Sequence, residues 1–151
     1  MAFQRMCALS VLLVFSGSTL ADFLDGFLFD TRPLLLFSDT ASDPIYEQQL
    51  KLLSGDDCGL FKRNVTVINV VENEVNTIDG YTLSPDQSAK FRDQYQADGY
   101  KRLIVLVGKD GEVKLRAHMP LSSKDLFKLI DLMPARRAEA AYQKTNTCTA
   151  T

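Results

Sequence analysis

The sequence predicts an α/β fold in which helices cover both faces of a mixed four-stranded sheet. Two short apolar runs, at residues 33–37 and 103–107, have the continuous hydrophobicity of strands that are buried on both faces. A run rich in β-branched side chains at residues 64–71 predicts a third strand. A turn at residues 109–112, followed by alternating apolar and basic side chains, predicts a hairpin to the fourth strand.

The first strand, at residues 33–37 just after Arg32, is followed by a predicted helix. Asp43 is a residue type that caps helices, and Pro44 suits the first helical position, where its missing N–H is harmless. Apolar side chains then recur at intervals of four and three residues on one helical face: Tyr46, Leu50 and Leu53. This helix is expected to end near residues 54–55. The strand at 64–71 follows it, so strand, helix and strand predict a parallel crossover.

A polar connection at residues 72–82 leads to the second predicted helix. Ser84 and Gln87 have the reciprocal capping pattern, with proline between them at the first helical position, and the helix is expected to reach about Tyr95. The strand at 103–107 then leads into the turn, where Gly111 stands at the position that requires a positive φ.

The last strand and the closing helix complete the domain. Residues 113–116 alternate apolar and basic side chains, as an edge strand does. Ser122 is expected to cap a final helix that Pro134 stops, with an apolar stripe formed by Leu126, Leu129, Ile130 and Met133. The resulting order, β-α-β-α-β-β-α, is that of the thioredoxin core, so a thioredoxin-like fold is the predicted fold class.

The first 21 residues have the order of a cleavable secretory signal. Arg5 precedes an apolar stretch at residues 6–15, and small residues lead to Ala21, after which cleavage is expected. The apolar stretch is shorter than the ~20 residues of a membrane-spanning helix, and no later stretch approaches that length, so no membrane anchor is expected after cleavage. The predicted organisation is a signal peptide at 1–21, one domain at 22–142 and a flexible C-terminal tail at 143–151, in a protein secreted to the periplasm or outside the cell.

Charge and cysteine content narrow the function classes of the remaining 130 residues. Sixteen basic and nineteen acidic residues are interspersed along them, a net charge of −3, which gives no sign of nucleic-acid binding. Cys58 and Cys148 are the two remaining cysteines. In an oxidising compartment they form a disulfide, stay as inert thiols, or include one reactive thiol. Asp56 and Asp57 precede Cys58, and their charges disfavour the thiolate that redox attack requires.

Three stretches resemble a known family. These are Arg32 to Leu35, Gly108 to Arg116, and Leu126 to Arg137, whose Ile130–Arg137 part is the most specific. They are similar to domain of unknown function 4174, a family of thioredoxin-like domains in exported bacterial proteins that is related to animal sushi-repeat extracellular proteins. The similarity covers about residues 24–139. It implies a thioredoxin-like fold in an exported protein, and no catalytic residue is carried over from it.

Thioredoxin-type oxidoreductases keep two cysteines between the first strand and the first helix, where the helix N-terminus stabilises the thiolate. Here that segment, residues 38–43, reads Ser-Asp-Thr-Ala-Ser-Asp and contains no sulfur. Such enzymes also carry a proline just before the third strand, whereas this chain has Tyr100 and Lys101. No catalytic residue is therefore assigned. We also expect no cofactor and no metal, because the single histidine, His118, has no cysteine or histidine partner at metal-binding spacing.

One group of basic side chains is a candidate for binding an anion or an acidic partner: Arg32, Lys109, Lys114, Arg116, Arg136 and Arg137. The alternative is that these charges are solvated and, on the edge strand, discourage sheet-to-sheet aggregation. Three hypotheses follow for the whole protein. It is a non-redox binding or envelope accessory module with an unknown protein partner, a thiol-dependent oxidoreductase or peroxidase that uses Cys58, or a polyanion-binding module.

Overall fold

A four-stranded sheet is the centre of the computed structural model, which describes residues 30–72, 74–78 and 81–142. The described residues contain strands of this main sheet and of a smaller second sheet. They are β1 (Arg32–Ser38), β2 (Val65–Val71), β3 (Thr77–Ile78), β4 (Tyr81–Thr82), β5 (Arg102–Val107) and β6 (Val113–Ala117). In the main sheet the order is β2-β1-β5-β6, while β3 and β4 form a separate small hairpin. β1 pairs in parallel with β2 and antiparallel with β5, and β6 pairs antiparallel with β5. The predicted mixed sheet is present.

Within the described residues, five helices surround the sheet: α1 (Pro44–Leu53), α2 (Asp57–Lys62), α3 (Pro85–Gln94), α4 (Ser123–Asp131) and α5 (Pro134–Tyr142). Local capping explains where the three predicted helices begin. Asp43 accepts hydrogen bonds from the backbone N–H groups of Ile45 and Tyr46. Ser84 and Gln87 form the reciprocal capping box, and Ser122 caps α4. Gly111 adopts a φ of +78° in the predicted turn.

Both faces of the sheet are buried, which explains the continuous apolar runs of β1 and β5. Alternate residues of each strand point to opposite faces. One face packs against α3, through a core that includes Leu35, Phe37, Val105 and Phe91. The other face packs against α1, α2 and α4, through a core that includes Leu34, Leu36, Leu106, Leu126 and Ile130. The expectation of helices on both faces is therefore confirmed.

Three elements differ from the sequence prediction. α2 was not predicted: it has only six residues, and its preceding residue, Asp56, makes no side-chain capping bond, so neither periodicity nor a cap marked it. The segment read as a polar connection contains the hairpin of β3 and β4, whose strands have two residues each. Pro134 ends α4 as expected, but it also begins α5, since proline fits the first turn of a helix.

The two predicted end segments, residues 1–21 and 143–151, lie outside the described residues. Within the described part of the chain, no helix combines the length and the apolar character needed to span a membrane.

Candidate functional site

The loop between β1 and α1 uses its polar side chains to hold its own shape. The Ser38 hydroxyl donates to the Thr40 carbonyl at 2.8 Å. Asp43 caps α1 and also accepts a hydrogen bond from Arg102 at 2.8 Å. Asp39 accepts one from Arg92 at 3.2 Å. The charged side chains of this loop, Asp39 and Asp43, are therefore both already paired with arginines.

Behind this loop there is almost no empty space. A cavity of about 10 Å³, lined mainly by apolar side chains, separates the first turns of α1 from β5. That volume holds one water at most. Tyr46 borders it, and burial, followed by the negative charge of Glu74, raises the pKa of its phenol, which therefore stays protonated at neutral pH. No small molecule fits between the loop and the sheet without rearrangement.

A much larger cleft opens beside the loop, at the carboxyl ends of β1 and β2. It has a volume of about 590 Å³ and lies between the end of β2, the segment after it and the first turns of α3. A second cavity of about 340 Å³ adjoins it and reaches residues 98–101. The two share Glu72, Arg92 and Asp98 as wall residues. The larger volume falls in the range of about 300–1,000 Å³ of ligand sites, and the carboxyl ends of strands are where open α/β sheets bind ligands.

Arg92 of α3 is the organising side chain of this cleft. Its guanidinium donates to the Ser38 carbonyl at 3.4 Å and to Asp39 at 3.2 Å, and it lies 3.5 Å from a carboxylate oxygen of Asp98. Its side chain is only 12% exposed, so these contacts fix its position. Arg92 was not predicted from the sequence, because it is a single arginine on a polar helix. Two of its partners, Ser38 and Asp39, are more than fifty positions away in the sequence.

At the opposite end of the sheet, three of the six predicted basic residues converge on one carboxylate. Arg32 of β1 donates two hydrogen bonds to Glu139 of α5, at 3.0 and 3.1 Å. Lys109 lies 2.9 Å from Glu139, and Arg136 lies 4.0 Å from it. Arg136 and Arg63 also pair with Asp131 of α4, at 3.3 and 2.6 Å. We call these six residues the amino-end cluster: Arg32, Arg63, Lys109, Asp131, Arg136 and Glu139.

The other three predicted basic residues lie elsewhere. Lys114 of β6 pairs with Asp110 and Glu112 of the β5–β6 turn, at 2.6 and 2.8 Å. Arg116 donates to the Tyr95 carbonyl at 2.6 Å. Arg137 is exposed on α5. The six basic residues predicted from the sequence therefore do not form one surface, and polyanion binding by any of them stays a prediction. Glu139 was missed at the sequence level, although its spacing of three from Arg136 on a helix was an available signal.

Cys58 and His118 were the remaining residues of interest. Cys58 is half-buried in the first turn of α2, and Cys148 lies outside the described residues, so their pairing stays a prediction. His118 packs against Tyr100, with 4.7 Å between ring centroids, and its Nδ1 lies 3.4 Å from the Arg102 carbonyl. Among the described residues, no three histidine, cysteine or acidic side chains gather in an arrangement suited to a metal ion.

The amino-end cluster makes the stability of the fold dependent on pH. Burial raises the pKa of Glu139, but hydrogen bonds and charge from Arg32 and Lys109 outweigh it and hold that pKa below its usual value. Burial likewise raises the pKa of Asp131, while Arg63 and then Arg136 lower it further than burial raises it. A carboxyl whose pKa is lower in the folded chain stabilises the fold above its unfolded pKa, and this stabilisation is lost as the pH falls.

We therefore expect the midpoint of urea unfolding to fall as the pH is lowered through about 4 and below. The Glu139→Gln variant should be less stable at neutral pH and should lose less on acidification. Glu47→Gln, which removes an exposed carboxylate from α1, is the matched control and should keep the full acid dependence. An unchanged acid dependence in Glu139→Gln would mean that Glu139 does not contribute to it.

Comparisons with known proteins agree with this fold. A family model described as Domain of unknown function (DUF4174) matches residues 23–139. Sushi repeat-containing protein SRPX of Homo sapiens is 31% identical over 135 residues, which cover 86% of this chain and 29% of that protein. SRPX2 of Xenopus laevis is 28% identical over 130 residues, covering 82% and 28%. The chain therefore spans less than a third of the length of these relatives.

A solved structure adds evidence for the fold alone. Plasmodium yoelii Prx1a, modified at its N-terminus, aligns with a TM-score of 0.51 and 19% sequence identity, over 83% of each chain. Together with the observed strand order, this confirms the predicted thioredoxin-like α/β class.

Proposed function

We propose that this chain, which belongs to the Domain of unknown function (DUF4174) family and has a thioredoxin-like fold, acts by binding a partner outside the cytoplasm and carries out no thiol redox chemistry. The export part of the proposal is supported by the signal-like order of residues 1–21. It is also supported by the resemblance to a family found in exported proteins.

The composition of the loop between β1 and α1 carries the non-redox part of the proposal. A thioredoxin-type enzyme needs a thiolate at the N-terminus of α1, where the helix dipole lowers the energy of the negative charge. Here Asp43 occupies that position, caps the helix and pairs with Arg102. Asp39, the other charged side chain of the loop, is paired with Arg92. A carboxylate already fills the electrostatic role that a reactive sulfur would have.

The alternative, a redox enzyme that uses Cys58, has a different difficulty. α1 leads from the carboxyl end of β1 back towards its amino end, and α2 follows α1 directly, so Cys58 lies at the end of the sheet opposite that loop. Asp57 also stands beside it in the first turn of α2. Polyanion binding, the third hypothesis, is weakened because Arg32, Lys109 and Arg136 already surround Glu139.

The test is a redox assay on the purified protein without residues 1–21. We expect neither reduction of insulin disulfides nor consumption of hydrogen peroxide above the rate in buffer, with a thioredoxin assayed beside it as the positive control. The Cys58→Ser variant should behave like the parent protein. Turnover comparable with that of the thioredoxin, lost in Cys58→Ser, would refute the proposal.

A further inference from the structure

We infer that the cleft at the carboxyl ends of β1 and β2 binds an extended peptide segment that has lysine or arginine at alternate positions. This inference rests on the proposed binding function and names the chemistry of its partner. Three properties of the cleft support it, namely its extent, its charge and the apolar side chains at its edge.

The extent of the cleft favours a chain segment over a compact ligand. The cavity of about 590 Å³ reaches Pro85, at the start of α3, and the adjoining cavity of about 340 Å³ reaches Lys101. The shared wall of Glu72, Arg92 and Asp98 makes them neighbours along one edge of the sheet. A peptide laid along this edge fills both spaces, whereas a single small molecule fills one.

The charge of the cleft favours a cationic occupant. Its walls carry four carboxylates and two cations, which are Asp39, Glu72, Glu74, Asp98, Arg92 and Lys101. Arg92 is held by Asp39 and Asp98, so its charge is already neutralised. Glu72 and Glu74 are exposed and make no ion pair within the described residues. Charge complementarity therefore selects a positively charged partner and disfavours an acidic one.

The apolar part of the cleft suits the stems of the cationic side chains. Val75 is 77% exposed beside Glu74, while Val71 and Leu83 are only 5% and 4% exposed and belong to the floor. Lysine and arginine have long apolar stems that pack on such side chains while the charged end reaches a carboxylate. Side chains at alternate positions of an extended segment point to the same side. Two cationic side chains separated by one residue would therefore both reach Glu72 and Glu74, while their apolar stems cover Val75.

The experiment measures the binding of a defined probe to the purified protein without residues 1–21. The probe is a fluorescein-labelled, end-blocked hexapeptide with the sequence Ala-Lys-Val-Lys-Leu-Ala, and the readout is fluorescence anisotropy. We expect saturable binding that weakens as the salt concentration rises from about 20 to about 150 mM, since ions screen exposed charge pairs. The same peptide with both lysines changed to glutamate should not bind.

Two kinds of variant assign the binding to this cleft. The double variant Glu72→Gln, Glu74→Gln should weaken binding by about tenfold, while Asp30→Asn, Glu112→Gln, which removes two exposed carboxylates at the opposite end of the sheet, should leave it unchanged. Ala89→Trp should also abolish binding, because this exposed position on α3 lines the cleft and the larger ring fills it without changing the charge. Ala89→Ser is its matched control.

Absence of binding by the lysine peptide, equal binding by the glutamate peptide, or full binding by both cleft variants would overturn the inference. None of these results would affect the non-redox proposal, which depends on the turnover assay alone. Conversely, thiol turnover would refute that proposal, whereas peptide binding in this cleft would still stand as an observation.

Discussion

Replacing Arg32 by alanine is expected to lower the free energy of unfolding by about 3–5 kcal/mol, because it removes one partner of a buried ion pair. The Arg32 side chain is 1% exposed, and it joins three elements of the fold. Its guanidinium donates to the Arg63 carbonyl, just after α2, at 2.9 Å and makes two hydrogen bonds to Glu139 of α5. Truncation leaves that carbonyl and a mostly buried carboxylate without their main donor.

Urea unfolding monitored by circular dichroism measures this effect, and Lys114→Ala is the matched control. Lys114 also loses two carboxylate partners on substitution, but Asp110 and Glu112 are 55% and 75% exposed. Exposed pairs of this kind contribute at most about 1 kcal/mol. A double-mutant cycle of Arg32→Met with Glu139→Leu should show strong coupling, since the second change removes the unpaired carboxylate. Equal losses in Arg32→Ala and Lys114→Ala would contradict the assigned role.

The elements predicted from the sequence are those whose signals are local. β1 and β5 were predicted because strands buried on both faces require continuous apolar runs. α1 and α3 were predicted because Asp43 and Ser84 cap them with bonds to residues two or three positions away. α2 and the hairpin of β3 and β4 are too short to show a period, and they are held mainly by the elements around them.

The residues of the candidate sites were harder to predict because their partners are distant in sequence. Arg32 and Glu139 are 107 positions apart, so nothing in the sequence shows that one neutralises the other. Arg32 was assigned to a candidate anion site; in the structure it pairs with Glu139, and anion binding by Arg32 stays a prediction. Arg92 and the large cleft depend on how the loop after β1, the end of β2 and α3 meet in space. Only the absence of cysteine from the loop between β1 and α1 could be read directly from the sequence.

Removing a disulfide between Cys58 and Cys148 is expected to lower the free energy of unfolding by about 4 kcal/mol, since it would close a loop of about 90 residues. The amino-end cluster supports this pairing. Arg32 links Glu139 of α5 to the Arg63 carbonyl beside the end of α2, so α5 ends in the neighbourhood of the helix that carries Cys58. The six residues from Tyr142 to Cys148 span up to about 20 Å when extended, so the bridge requires Cys58 to lie within that reach of Tyr142.

The disulfide prediction is tested by unfolding the protein with and without a phosphine reductant. Reduction and the Cys148→Ser substitution should each cost the same free energy, because both open the same loop, and the variant should show no further response to reductant. The stabilisation in the chain-entropy model comes from restricting the unfolded chain, so the loss should appear even if the folded structure is unchanged. Two titratable thiols in the unreduced, unfolded protein would exclude the bridge. A loss on reduction that persists in Cys148→Ser would show that Cys58 is bridged to a different sulfur.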